Sequence, residues 1–346
     1  MSELNPIGLD GIEFIEFSSA SAERLHELFT EFGFSKIMRH EKNSVDLYKQ
    51  NDISFILNTQ AGSFAESFQK THGPSISSMG WRVKDAKKAY EEAIRRGAAA
   101  AKHVDFTRNG QDIPAIMGIG DSLIYFIDAY TDGLYPSMGF INHPNPVKVA
   151  NKGFLSIDHL TNNVYEGTMK EWSDFYKNVF GFTEVRYFDI RGVKTGLTSY
   201  ALKSPCGKFC IPINEGTEKR SQINEYLDEY RGPGVQHLAF LTGDIVSSLR
   251  QLDSKKVETL DIDDEYYDTV FERVPNVTED HQVLREMDIL VDGDDEGYLL
   301  QIFTKNVVGP IFIEVIQRKN HLSFGEGNFG ALFRSIEKDQ EKRGYI

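Results

Sequence analysis

The sequence predicts an α+β protein made of two similar halves, each a pair of β-α-then-strands units. Three observations carry this. IEFIEF (12–17) is followed by a passage in which Leu25, Leu28, Phe29 and Phe32 recur at helical spacing before a stop at Gly33. SIDHLTNNV (156–164) is followed by Trp172, Phe175, Tyr176 and Val179 at nearly the same spacing and a stop at Gly181. A second matched pair lies one unit further along each half: a strand ending at Asp85 before an Ala86, Ala89, Tyr90, Ala93 stripe, and a strand ending at Asp244 before Ile245, Leu249 and Leu252. The βαβββ unit therefore recurs four times as two pairs.

Each unit closes with short strand-like runs, IPAIMGIG and SLIYFID in the first half, GYLLQIF and PIFIEVIQ in the second. Paired units of this kind build curved, antiparallel-rich half-open barrels with helices outside and a cavity within. The Gly, Pro and Asn-rich stretch around 131–153 reads as a connection. The expected layout is a first domain over 1–135, a linker over 136–152 and a second domain over 153–346 with a closing helix.

Composition sets limits on function. With 40% apolar and 12% aromatic residues the chain has core material for two domains, which sets disorder aside. The net charge of −14, spread along the chain, repels polyanions, so nucleic acid is not an expected partner. The opening MSELNPIGLDG lacks the basic and apolar regions of an export signal, and no stretch has the apolar length of a membrane helix. A cytoplasmic protein without membrane contact is expected. Cys206 and Cys210, four residues apart in one strand-like run, read as ordinary thiols rather than a disulfide or zinc site.

Polar residues inside apolar strands mark the candidate chemistry. Leu155, Ile157 and His159 are expected to share one strand face; so are Val235, His237, Ala239 and Leu241, and again Phe312, Glu314 and Ile316. A carboxylate buried at Glu314 needs a compensating partner. His159 and His237 open the first strands of the third and fourth units, 78 residues apart, and Glu314 lies 77 further on in the last strand. Two imidazoles and one carboxylate on one side of a metal form the facial triad of non-haem Fe(II) oxygenases. Taken singly, each His is more often a satisfied core residue, and Glu314 could pair with an Arg; taken jointly at matched positions the three point to a metal. The matching stretches of the first half carry no His, so metal chemistry is expected in the second half only. The other seven histidines are assigned to surface or local packing.

At these residues the sequence resembles the 4-hydroxyphenylpyruvate dioxygenases, through SIDHLTNNV, SQINEYLDEYRGPGVQHLAF, GYLLQIFTK, GPIFIEVIQR and FGEGNFGALFRSIE, and more loosely through GLDGIEFIEF, THGP and SLIYFID. The resemblance implies tandem glyoxalase-like domains of the vicinal-oxygen-chelate type, an Fe(II) cofactor on His159, His237 and Glu314, and a homo-oligomer. It implies a 2-oxo acid substrate and O2, with homogentisate and CO2 as products, a step of tyrosine and phenylalanine catabolism. The substrate pocket it implies falls on Ser199, Asn214, Gln222, Gln301, Phe303, Phe312, Phe324, Asn328 and Phe329, with Gln236, Gln301 and Asn214 assisting the reaction. Phe312 and Phe329 would clamp the ring, and the closing segment from Phe329 would lid the site. Two alternatives remain at this point: a 4-hydroxymandelate synthase, sharing fold, ligands and substrate, and a metal-binding module without turnover. Pro212 with Asn214, and Phe329, resemble the dioxygenase pattern.

Overall fold

The computed structural model describes residues 4–192 and 194–345. Its first unit runs β1 (Leu9–Ser18), α1 (Ala22–Glu31), β2 (Ser35–His40), β3 (Val45–Gln50) and β4 (Ile53–Asn58), and α2 (Phe64–His72) leads out of it. The second has β5 (Ser75–Val83), α3 (Ala86–Arg95), a small ribbon of β6 (Thr107–Arg108) and β7 (Gln111–Asp112), then β8 (Ala115–Met117) and β9 (Leu123–Ile127). After α4 (Leu134–Ser137) and β10 (Phe140–Val147), the third unit has β11 (Phe154–Val164), α5 (Met169–Phe175), β12 (Thr183–Arg191), β13 (Gly196–Lys203) and β14 (Cys210–Gly216). Helix α6 (Gln222–Tyr230) joins it to the fourth: β15 (Gly234–Thr242), α7 (Ile245–Arg250), α8 (Asp264–Arg273), α9 (His281–Glu286), β16 (Leu290–Gly293), β17 (Tyr298–Phe303) and β18 (Phe312–Lys319). Helix α10 (Phe329–Arg343) follows.

Two eight-stranded sheets result, in the orders β10-β2-β3-β4-β1-β5-β9-β8 and β12-β13-β14-β11-β15-β18-β17-β16. The internal repeat is visible in the pairing. In each sheet the first strands of two units meet antiparallel (β1 with β5, β11 with β15), and each pairs in parallel with the last strand of its own unit. The predicted helix signals work as written. Asp85 and Asp244 cap α3 and α7 by accepting from the amides of Lys88 and Ser247 at 2.9 Å each, an interaction worth about 1 kcal/mol. Gly33 follows α1 at φ +87°, and Gly181 ends the π-helical turn Tyr176–Phe180 that continues α5 at φ +80°, a conformation costly for any side chain.

Three expectations are corrected. The 136–152 stretch is more than a connection, because β10 within it pairs with β2 as the edge strand of the first sheet. The alternation assumed for 155–159 fails: β11 shifts register against β15 between Phe154 and Ser156 and again between Ile157 and His159. Leu155 is consequently 45% exposed and His159 buried, not neighbours on one face. Cys206 lies in the turn ahead of β14 rather than in the strand with Cys210, and both are free thiols.

The two sheets share one core. Phe32, Phe34 and Phe55 of the first half meet Phe154 and Phe240 of the second, and Trp81 meets Phe180, Phe182 and Phe209. His72 is buried at this junction, stacked on Tyr230 at 4.7 Å with Nδ1 2.8 Å from the Tyr230 carbonyl oxygen, so its packing role joins the halves. The opposite face of the first sheet is filled by its own rings, Phe14, Phe106, Tyr125, Tyr135 and Phe140 among them. The opposite face of the second sheet borders a cavity. Among the described residues no helix is long and apolar enough to cross a membrane.

Candidate metal centre and its pocket

Three strands of the second sheet deliver the polar residues picked out above. His159 on β11, His237 on β15 and Glu314 on β18 are all buried, and they are the group of potential metal ligands found among the described residues. Strand pairing dictates the meeting: β15 sits between β11 and β18, with Ala239 of β15 opposite His159 of β11 on one side and opposite Glu314 of β18 on the other. Ala239 is small, so the larger side chains on either side can converge over it.

The donor atoms form a near-equilateral triangle. His159 Nε2 is 3.1 Å from Glu314 Oε2, His237 Nε2 is 3.3 Å from the same oxygen, and the two Nε2 atoms are 3.3 Å apart. Donors about 2.1 Å from a common ion lie about 3.0 Å apart at right angles and about 3.4 Å apart at tetrahedral angles, so these edges fit one metal. The set of two imidazoles and one carboxylate on one side suits a transition metal with open positions. The site supports a metal cofactor.

Electrostatics agrees with the geometry. Burial opposes ionisation at Glu314, but the His159 charge and hydrogen bonds from both imidazoles outweigh it and hold the carboxyl down at about 2. Burial also disfavours charge on His159, yet the Glu314 and Asp158 carboxylates push it up to about 9. His237 is held below its ordinary value by burial. The cationic partner that Glu314 needed is thus His159.

Behind the triad each imidazole is fixed at its other nitrogen. Asp158 Oδ2 is 2.7 Å from His159 Nδ1, and the Arg318 guanidinium donates to both Asp158 oxygens at 2.8 and 2.9 Å. Gln236 Oε1 is 2.9 Å from His237 Nδ1. Carboxylate or carbonyl contacts of this kind set tautomer and ring orientation at metal sites. The sequence reading missed Asp158 and Arg318. Arg318 lies four residues beyond Glu314, on the same strand face, which was the available signal.

The triad opens onto a pocket whose empty space, its open mouth included, is about 640 Å³. Its walls include Ser199, Asn214, Gln222, Gln236, Gln301, Phe303, Phe312, Phe324 and Phe329. Ser199 and Asn214 are cross-strand neighbours on β13 and β14. Phe312 stacks on the His237 ring at 4.7 Å and 20°. Gln301 is fully buried, and neither its Oε1 nor its Nε2 has a hydrogen-bond partner among the described residues.

One predicted residue is elsewhere. Asn328 is fully buried but is not on the wall; its Oδ1 accepts from the Tyr266 hydroxyl at 2.6 Å, tying the start of α10 to α8. Several wall residues were not predicted: Thr161, Phe188, Ile190, Leu197, Leu332, Phe333 and Ile336. A signal existed for most of them. Phe329, Leu332, Phe333 and Ile336 recur at i, i+3, i+4, i+7, the apolar stripe of a helix lying on the cavity, and Phe188 and Ile190 alternate on β12.

Relatives point the same way. The family described as "Hydroxyphenylpyruvate dioxygenase, HPPD, N-terminal" matches residues 4–140, and the "Glyoxalase/Bleomycin resistance protein/Dioxygenase superfamily" matches 156–300. The 4-hydroxyphenylpyruvate dioxygenase of Legionella pneumophila (strain Philadelphia 1) is 45% identical over 349 residues, covering 100% of this chain and 99% of the relative. The chain belongs to the 4-hydroxyphenylpyruvate dioxygenase family. Similarity also extends to protein MelA of Shewanella colwelliana, 58% identical over 348 residues with 100% and 99% coverage. Among solved structures, a triple mutant of 4-hydroxymandelate synthase from Streptomyces coelicolor superposes with a TM-score of 0.83 at 25% identity, covering 96% of this chain and 99% of that one. Both halves of this member of the family are therefore glyoxalase-like, and its α+β fold is that of the family's solved neighbours.

Proposed function

We propose that the protein is an Fe(II)-dependent dioxygenase converting 4-hydroxyphenylpyruvate and O2 into homogentisate and CO2, with His159, His237 and Glu314 as the iron ligands. One observation carries the reading: the triad lies at the wall of a cavity lined otherwise by phenylalanine rings, aliphatic side chains and uncharged amides and hydroxyls, with the buried Gln301 amide still unpartnered. Such a cavity suits an aromatic ring bearing a polar group, and its ligand supplies the hydrogen bonds that Gln301 lacks.

Bound Fe(II) would supply activation of O2 coupled to loss of CO2 from the 2-oxo acid. The chain's own groups do the rest. Phe312 and Phe329 hold the ring from two sides, and Ser199, Asn214 and Gln222 anchor its hydroxyl end. Gln301 reaches the reacting side chain, while Gln236 keeps His237 in the tautomer whose Nε2 faces the metal. Leu332, Phe333 and Ile336 of α10 close the cavity against water.

The relationship to 4-hydroxymandelate synthase makes benzylic hydroxylation the second reading, on the same fold and substrate. Incubation with Fe(II), ascorbate, O2 and 4-hydroxyphenylpyruvate, with products identified by mass spectrometry, separates the readings. Homogentisate with one O2 consumed per CO2 released supports the proposal. 4-Hydroxymandelate supports the second reading, and no substrate-dependent oxygen uptake supports a binding module without turnover.

A further inference from the structure

Arg318 sits where two systems meet. Its Nε and Nη2 hold Asp158, which fixes His159, while its Nη1 donates to the main-chain carbonyls of His321 and Ser323 at 3.2 and 2.6 Å. Those carbonyls belong to the segment that carries Phe324 and continues through Gly325 into α10. The Phe324 ring lies 5.9 Å from the guanidinium carbon and edge-on to His159 at 5.6 Å. It also touches Phe188, which packs on Phe329 at 5.2 Å. The guanidinium is largely buried, its side chain 13% exposed, and four of its N–H directions are spent on these partners.

Only an arginine does this. Its planar fork presents two parallel N–H groups to a carboxylate and leaves others pointing away at a fixed angle. A lysine could satisfy Asp158 or the two carbonyls but not both. The carbonyls are part-buried acceptors, and losing the two bonds disfavours the arrangement of 321–324 seen here. A shift in that segment moves Phe324 and the start of α10 together.

We propose that Arg318 is a positioning residue that couples the closed state of α10 to the orientation of His159. The coupling is reciprocal: a metal on His159 Nε2 holds Asp158 and Arg318, which hold 321–324 and so the lid, and a closed lid favours metal binding by the same factor. The proposal rests on the reading of His159 as a metal ligand and adds the route by which that ligand senses the lid.

The test uses Co(II) alone as the metal probe, with the full chain, reading affinity by visible absorption and lid order by hydrogen exchange of amides in 321–343. In the unmodified protein Co(II) binds one per chain and slows exchange in this segment. Arg318→Lys weakens Co(II) binding 10- to 100-fold, the usual range for a lost partner behind a metal ligand, and abolishes the metal-dependent slowing. Asp158→Asn, which leaves the two carbonyl contacts in place, retains the metal-free exchange pattern of 321–343 but loses most of the metal-dependent slowing. It decides the matter if Arg318→Lys does not fold. Metal-dependent slowing that persists in the folded variants, or its absence in the unmodified protein despite Co(II) binding, overturns the coupling. Failure of the unmodified protein to bind Co(II) instead removes the triad reading, a separate outcome.

Discussion

A Cβ on Gly325 would lie 2.4 Å from the Oε1 of Gln301, and the Gly325 backbone has a φ of +79°. Only glycine permits this approach, so the loop before α10 presses Gln301 into the cavity. Gly325→Ala is expected to displace the Gln301 amide and to cost about 1–2 kcal/mol from the left-handed backbone. Turnover should fall 10-fold or more while metal content stays near one per chain, since no ligand moves. Metal analysis beside steady-state kinetics checks this; unchanged turnover would mean that Gln301 does not reach the substrate.

The first half holds a titratable group of its own. Glu16 is fully buried on β1, accepting from Asn58 Nδ2 at 2.8 Å and from the Ser78 hydroxyl. Burial, and then the charge of Asp105, push its carboxyl up to about 7. In the unfolded chain the same group ionises near its ordinary value, so between about pH 4.5 and 7 the folded state binds the extra proton. Stability must therefore fall as pH rises through that window, by up to about 3 kcal/mol from this group. Glu16→Gln should flatten the fall: its melting temperature should exceed that of the unmodified protein at pH 8 and match it more closely at pH 5. Melting curves of both proteins at the two pH values check this, and a variant less stable than the unmodified protein at pH 8 would contradict it.

The contrast between Glu16 and Glu314 shows what a sequence discloses. Both are carboxylates inside apolar strands, and the pattern alone cannot tell which will face two imidazoles and which two neutral donors. Glu314 was legible because two histidines occupied matched places in a duplicated architecture, and strand order follows from that duplication. His159 was picked out for its type, yet its face was misjudged, because the bulges of β11 depend on pairing with β15 rather than on local residues. Asn328 was assigned to the wall by likeness of motif, but the hydroxyl of Tyr266, far away in sequence, takes its side chain. The Asp158 and Arg318 pair spans 160 residues and left only a same-face spacing as its trace. Local signals such as caps and stripes were readable; long-range polar partners were not.

The triad itself makes a direct prediction. His159→Ala, His237→Ala and Glu314→Ala should each abolish activity by loss of metal, because two remaining donors do not hold a divalent ion firmly. The folds should survive, since the donors border a cavity rather than the shared core. For Glu314→Ala the imidazoles lose their counter-charge, so His159 should titrate below the value of about 9 it has beside that carboxylate. Circular dichroism, metal analysis and an NMR titration of the imidazoles provide the readouts, and a folded variant with normal metal content and turnover would remove that residue from the ligand set.

Helix α10 is latched at mid-length. The buried Glu337 carboxylate accepts from the amides of Lys194 and Thr195 at 2.9 Å each and from the Thr195 hydroxyl at 3.1 Å, so it ties the helix to the residues leading into β13. Glu337→Ala leaves the buried Thr195 amide without its acceptor, a cost of about 1–3 kcal/mol that favours an open helix. KM should rise and substrate-independent oxygen uptake should increase, with metal affinity changed far less than by loss of a ligand. Glu337→Gln, which keeps one acceptor oxygen, should recover most of the coupling, and identical behaviour of the two variants would argue against a latch.

Selection of the reaction should lie in the wall opposite the metal. Asn214 is 7% exposed on β14, directly across from Ser199 on β13, and its Nδ2 lies 3.4 Å from Asn163 Oδ1, a weak contact that leaves it free to bind a ligand. If it orients the substrate ring, Asn214→Leu keeps the volume and removes the hydrogen bond. The metal and the 2-oxo acid end of the substrate are untouched, so CO2 release should persist. The ring is then free to shift, and a misplacement of about 1 Å can cost on the order of 100-fold in the productive step. Homogentisate formation should fall well below CO2 release, with benzylic or uncoupled products making up the difference. Equal loss of both, or of neither, measured by product analysis against evolved CO2, would place Asn214 among the structural residues of its strand and move the selecting wall elsewhere in the cavity.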